Sequence, residues 1–134
     1  MSEENVELHR RGYDAWNRGD MNAWLALADP DIEFSPFMVE MEGERTYQGR
    51  DGARRLWNDW LTTFPDRHIK VDEIKDLGGD ATFGAVRLRA HGARSDAPVE
   101  QSAWHVMQWR NGKCVRWQAF RDEAEALEAA GLSE

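Results

Sequence analysis

Residues 99–122 read VEQSAWHVMQWRNGKCVRWQAFRD, two apolar-rich stretches folded back on each other around Asn111-Gly112. The register of this hairpin decides which face is buried. A two-residue loop at Asn111-Gly112 sets Gln108 opposite Val115 and Trp109 opposite Cys114. A three-residue loop, Arg110-Asn111-Gly112 with Gly112 left-handed, pairs Trp109 with Lys113, Met107 with Val115, His105 with Trp117, Ala103 with Ala119 and Gln101 with Arg121. The second register gathers the apolar residues on one face and is the expected one. It turns a titratable imidazole, His105, into the hydrophobic side of a sheet, beside an indole and near Gln101 and Arg121. Cys114 then falls on the opposite face, away from any nucleophilic role.

Upstream the pattern changes from alternation to helical spacing. Residues 3–17 carry Val6, Tyr13 and Trp16 on one stripe behind an acidic first turn, which suits the helix dipole. Gly19 is a natural left-handed stop and Asp20 a cap for a second short helix over 20–28. A short strand is expected over 31–37. Residues 38–47, with Glu40, Glu42 and Glu44, read as a loop. A third helix runs from Gly49 to Phe64 with Ala53, Leu56, Trp57, Trp60 and Leu61 at amphipathic spacing. Strands follow over 68–77, where Ile74 breaks the alternation and suggests a bulge, and over 81–93. A short amphipathic helix over 123–130 closes the chain. Helices first and an antiparallel sheet second predict one α+β domain over 1–134, with the helices on one face of the sheet.

The totals narrow the function. The chain has 134 residues, seven of them Trp, and a net charge of −8. No basic cluster of the kind that binds nucleic acid is present. The single Cys excludes an internal disulfide and a Cys-based zinc site. No long apolar run and no leader pattern is seen, so a cytosolic protein without membrane contact is expected. No His has metal-ligand spacing with another His or a carboxylate, so neither metal nor cofactor is expected. His9 reads as a residue on the flank of the first helix.

Four short strings carry a resemblance. They are Tyr13-Asp14-Ala15-Trp16-Asn17-Arg18-Gly19-Asp20, Asp29-Pro30-Asp31-Ile32-Glu33-Phe34, Tyr47-Gln48-Gly49-Arg50 and Arg110-Asn111-Gly112-Lys113. In this order they resemble the SnoaL-like branch of the nuclear-transport-factor-2-like superfamily, which includes ketosteroid isomerases and polyketide cyclases. The resemblance implies a cone: a curved sheet wrapped around about three helices, with an apolar cavity at its open end. It implies cavity walls at Trp16, Phe34, Trp57, Trp60, Leu88, Gln101, Met107 and Trp117. The acid that isomerases and cyclases carry on the strand before the last turn falls on His105. The isomerase base falls in Phe34-Ser35-Pro36, its donor tyrosine on Gly12, and the cyclase histidine near Arg94. With those partners missing, an isomerase of the usual Asp/Tyr/Asp type is not expected.

The site expectation is therefore His105 as acid/base or hydrogen-bond donor, with Tyr13, Gln101 and Arg121 as candidate partners, acting on a small apolar oxygen-bearing molecule. Two other classes stand beside this enzyme reading: a non-catalytic binder using the same cavity, and an interaction module with a filled interior. Trp104, Val106 and Phe120 on the outer face suggest a self-association patch, and the resemblance implies a homodimer through it.

Overall fold

The computed structural model describes residues 2–35, 47–91 and 98–131. Of the expected loop over 38–47, residues 38–46 lie outside the described residues, as does Arg94, and Tyr47 is a buried strand residue rather than loop. Three helices and two strands come first: α1 (Ser2–Arg18), α2 (Met21–Ala26), β1 (Ala28–Ser35), β2 (Tyr47–Gln48) and α3 (Gly49–Thr63). Then come β3 (His68–Gly78), β4 (Ala81–His91), β5 (Pro98–Arg110), β6 (Lys113–Phe120) and α4 (Glu123–Ala129). The strands form one curved, open sheet in the order β2-β1-β6-β5-β4-β3. Every pairing is antiparallel except β1 with β6, which run parallel. The fold is the α+β cone that the sequence suggests.

The hairpin corrects the expected register. Asn111 and Gly112 both take left-handed backbone angles, φ 54 and 76, and Arg110 pairs directly with Lys113. This is the two-residue turn that Asn-Gly favours, because its twist matches that of the strands. Trp109 then faces Cys114, and the ladder slips so that Gln108 faces Arg116, leaving Val115 as an extra residue. The bulge restores the buried face that the three-residue loop was invoked to secure. Beyond it Met107 faces Trp117 and His105 faces Ala119. Gln101 has Leu88 as its ladder partner, and β6 ends before Arg121. Cys114 thereby joins the buried core on the side expected to exclude it. The expected irregularity in β3 is present, between Val71 and Glu73.

Local chemistry explains how the helices are held. Gly19, at φ 74, ends α1, and the Asp20 carboxylate accepts the Ala23 N–H at 3.1 Å to start α2. Asn17 clips the end of α1 to the sheet edge: its amide donates to Ile69 O at 2.9 Å and accepts from Ile69 N–H at 2.8 Å. Tyr13, Leu25 and Leu56 from the three helices meet Ile32, Phe34, Val86, Ala103, Met107 and Trp109 in the main core.

The outer face has its own cover. Phe83 and Val106, 0% and 1% exposed, pack with Ala126 of α4, and Trp104, Phe120 and Leu127 flank them. Of the three residues expected in an exposed patch, Val106 is therefore buried rather than on the surface, while Trp104 and Phe120 stay half-buried beside α4.

Candidate active site

A cavity of about 140 Å3 lies between the helices and the concave face of the sheet. An apolar cavity of roughly 150 Å3 holds a benzene-sized molecule and stays dry without one, so this space fits at least one six-membered ring. Its walls are almost wholly apolar. Trp16 and Trp60 line the helix side, and Phe34, Leu88, Met107 and Trp117 the sheet side. Exposed His68, Arg89 and Gln101 lie at its rim. Trp57, expected in the wall, does not face the cavity but backs Trp16 and Trp24, with ring centroids at 5.0 and 5.1 Å. Arg121 is exposed beyond β6 and takes no part in the wall. Gln101 points its amide at Ser102 O, 3.1 Å away, rather than at His105.

His105 is 2% exposed and lines the cavity. Its ring sits 4.6 Å from that of Trp117, diagonally across the hairpin. Its Nδ1 is 2.8 Å from the Tyr13 hydroxyl. Of the three candidate partners, Tyr13 is the one the fold brings to it. The helical offset that separates Tyr13 from the isomerase position at Gly12 does not prevent this meeting.

Tyr13 leads further inward. Its hydroxyl is also 2.8 Å from His9 Nε2, His9 Nδ1 is 2.7 Å from Thr82 Oγ1, and the Trp109 indole N–H donates to that same oxygen at 2.9 Å. His9 is 0% exposed, so its expected place on a helix flank is corrected. His9 and Tyr13 are one helical turn apart on α1 and therefore share a face. The signal for His9 in the sequence is this i, i+4 spacing; nothing in the local pattern at Thr82 marks it. Glycine at position 84 makes the meeting possible. Gly84 pairs with His105 across the ladder, and an added Cβ there would stand 2.8 Å from His9 Nε2 and collide with the Tyr13 hydroxyl.

Proton counting assigns the chain a direction. Each neutral imidazole has one N–H and each hydroxyl one proton. Thr82 already accepts from Trp109, so it can spend its own proton on His9 Nδ1. His9 Nε2–H then donates to Tyr13, and Tyr13 donates to His105 Nδ1. The tautomer left on His105 carries its proton on Nε2, the nitrogen available to a cavity ligand. In the reverse direction Thr82 would accept from both Trp109 and His9, leaving its buried hydroxyl proton without an acceptor in the chain, so the first direction is the favoured one.

Burial sets the charge states. It drops His105 to a pKa of about 3. It holds His9 well below the usual imidazole value, with smaller contributions from the neighbouring His105 and Arg10. It raises the Tyr13 phenol well above its ordinary value. At neutral pH the chain is therefore uncharged, and His105 is a neutral donor rather than an imidazolium. Burial likewise pushes the Cys114 thiol up to about 12, which keeps it from acting as a thiolate. Among the described residues no group of three His, Cys, Asp or Glu is placed to hold a metal ion. No helix among them is long and apolar enough to cross a membrane.

Residues 9–117 match the SnoaL-like domain family. The chain belongs to this family. A nuclear-transport-factor-2-like protein of unknown function from Burkholderia pseudomallei is similar in structure, with a TM-score of 0.80, 22% identity, and 96% of this chain and 97% of that one covered. A putative SnoaL-like polyketide cyclase from a Jannaschia species has a TM-score of 0.77 at 16% identity, covering 100% and 95%. TerC, crystallised with polyporic acid, has a TM-score of 0.78 at 18% identity, covering 93% and 96%. Identities this low establish a shared fold, which hosts many chemistries. No curated protein matches the sequence. In this SnoaL-like chain the polar cluster His9–Tyr13–His105 is the feature on which a functional reading rests.

Proposed function

We propose that this SnoaL-like protein binds a small, ring-sized, oxygen-bearing molecule and polarises its carbonyl oxygen through the neutral Nε2–H of His105. The observation that carries the reading is the buried, uncharged His105 on the wall of an otherwise apolar cavity, its Nδ1 engaged by the Tyr13 hydroxyl at 2.8 Å. A neutral imidazole held in one tautomer donates to a developing enolate oxygen without first losing a proton, and a dry surround strengthens the bond. Isomerisation, cyclisation and dehydration next to a carbonyl share this step. The chemistry needs no cofactor in this reading. The protein described in the cyclase-like neighbour's name is consistent with this class.

A second reading, binding without turnover, is favoured by one observation. The titratable group in contact with His105 is Tyr13, and burial holds its phenol protonated. Incubating the protein with cyclohexanone in deuterated water separates the two. Accelerated exchange of the α-hydrogens, lost in His105→Phe, supports the polarising role. Binding of the ketone without faster exchange supports the binder. No binding of the ketone by the wild-type protein overturns both.

A further inference from the structure

Arg67, just after α3, also lines the cavity. Its guanidinium carbon lies 4.2 Å from the Trp16 ring centroid and 4.7 Å from that of Trp57. Two of its nitrogens, Nε and Nη2, are shut off from solvent with no hydrogen-bond partner among the described residues. The neighbouring carboxylate does not serve it: Asp66 accepts from the His91 backbone N–H and lies 2.8 Å from the His91 ring. A buried guanidinium edge without an acceptor is costly, and cation–π contact with two indoles offsets only part of that. Burial lowers the Arg67 pKa, yet a guanidinium stays protonated.

Nε–H and Nη2–H form the edge of the guanidinium that takes both oxygens of a carboxylate in parallel. Arg67 rests on Trp16, and His105 on Tyr13, three residues earlier on α1. The two helix positions they rest on are thus offset by about 4.5 Å along the axis, and both groups line the apolar cavity. We infer that the molecule the cavity accepts is an anion, a carboxylate on a ring-sized apolar body, held by Arg67 while His105 meets a second oxygen. A turn of the Arg67 end torsions toward the cavity it already lines brings the paired N–H groups to the anion. This inference rests on the cavity reading above and adds the charge of the ligand to it.

Benzoate and benzamide test it, since they match in shape and differ in charge. Their binding to the whole protein is followed by NMR titration at pH 7. The wild-type protein is expected to bind benzoate about tenfold more tightly. Arg67→Met is expected to abolish that preference while keeping benzamide affinity, and Arg67→Lys to restore part of it. Should Arg67→Met not fold, the wild-type preference and its weakening by added chloride decide the matter. Equal binding of the two probes overturns the anion inference and leaves the cavity reading standing. Absence of binding by both overturns the inference together with the cavity reading.

Discussion

Gly84 stands directly opposite His105 in the β4–β5 ladder, and the space its missing Cβ leaves is filled by the Tyr13 hydroxyl and the His9 ring. Its backbone angles are ordinary for a strand, so the requirement for glycine is one of room. Gly84→Ala is therefore expected to destabilise the protein by about 1–3 kcal/mol, the usual cost of overpacking a filled core. It also parts Tyr13 from His105. Thermal unfolding and the His105 imidazole NMR signals check the two effects; an unchanged melting temperature would count against the packing described.

Acid should weaken the fold before it protonates His105 in place. In the unfolded chain a histidine takes up its proton near 6.5, while burial delays this in the folded protein to about 3. Stability is thus complete above pH 6.5 and falls as the pH drops below it, because the unfolded state binds the proton first. At one proton, the loss is about 2 kcal/mol by pH 5. His9, shifted in the same direction, steepens the slope toward two protons. Urea midpoints between pH 8 and pH 5 measure it, and His9→Gln should flatten the curve.

Tyr13→Phe removes one oxygen and strands two nitrogens, His9 Nε2 and His105 Nδ1. Each buried group left unpaired costs about 1–3 kcal/mol. The variant also frees the His105 tautomer. Nitrogen-15 shifts of the imidazole should show a single neutral tautomer, protonated on Nε2, in the wild type and a mixture in the variant.

Cys114 should be inert in the folded protein. It is 5% exposed, and burial pushes its thiol up to about 12. Iodoacetamide at pH 8 is expected to leave it unmodified until urea opens the chain, so that labelling reports global unfolding.

Removing α4 should create the sticky surface that the intact chain covers. Truncation before Glu123 uncovers Phe83 and Val106. Size-exclusion runs at rising concentration are expected to show association of the truncated protein beyond whatever the full chain displays.

Much of this architecture could be read in the sequence because periodicity is a local property. The amphipathic spacing from Ala53 to Trp60 marks α3, and the phase break at Ile74 marks a bulge. His105 was visible as an imidazole among apolar alternations. The hairpin register is not legible from alternation alone, because Asn111-Gly112 supplies a tight turn and Val115 a bulge, and the two together restore the buried face. The meeting of His9 with Thr82 and Gly84 is illegible in the sequence for a different reason. Their meaning arises from contacts between α1 and β4, and no local pattern reports which glycine makes room for which ring. Arg67 was overlooked because its value depends on two indoles and on a carboxylate neighbour turned elsewhere.

The parallel pairing of β1 with β6 sets the order in which this pocket can come into being. Phe34 near the start of the chain and Trp117 near its end are ladder partners, with their rings 5.5 Å apart. Contacts so distant in sequence are slow to close. During synthesis the helices and the first strand wait for the last strand before any wall is complete. A ribosome-bound fragment ending short of Trp117 has half a container, with Phe34 lacking its ladder partner.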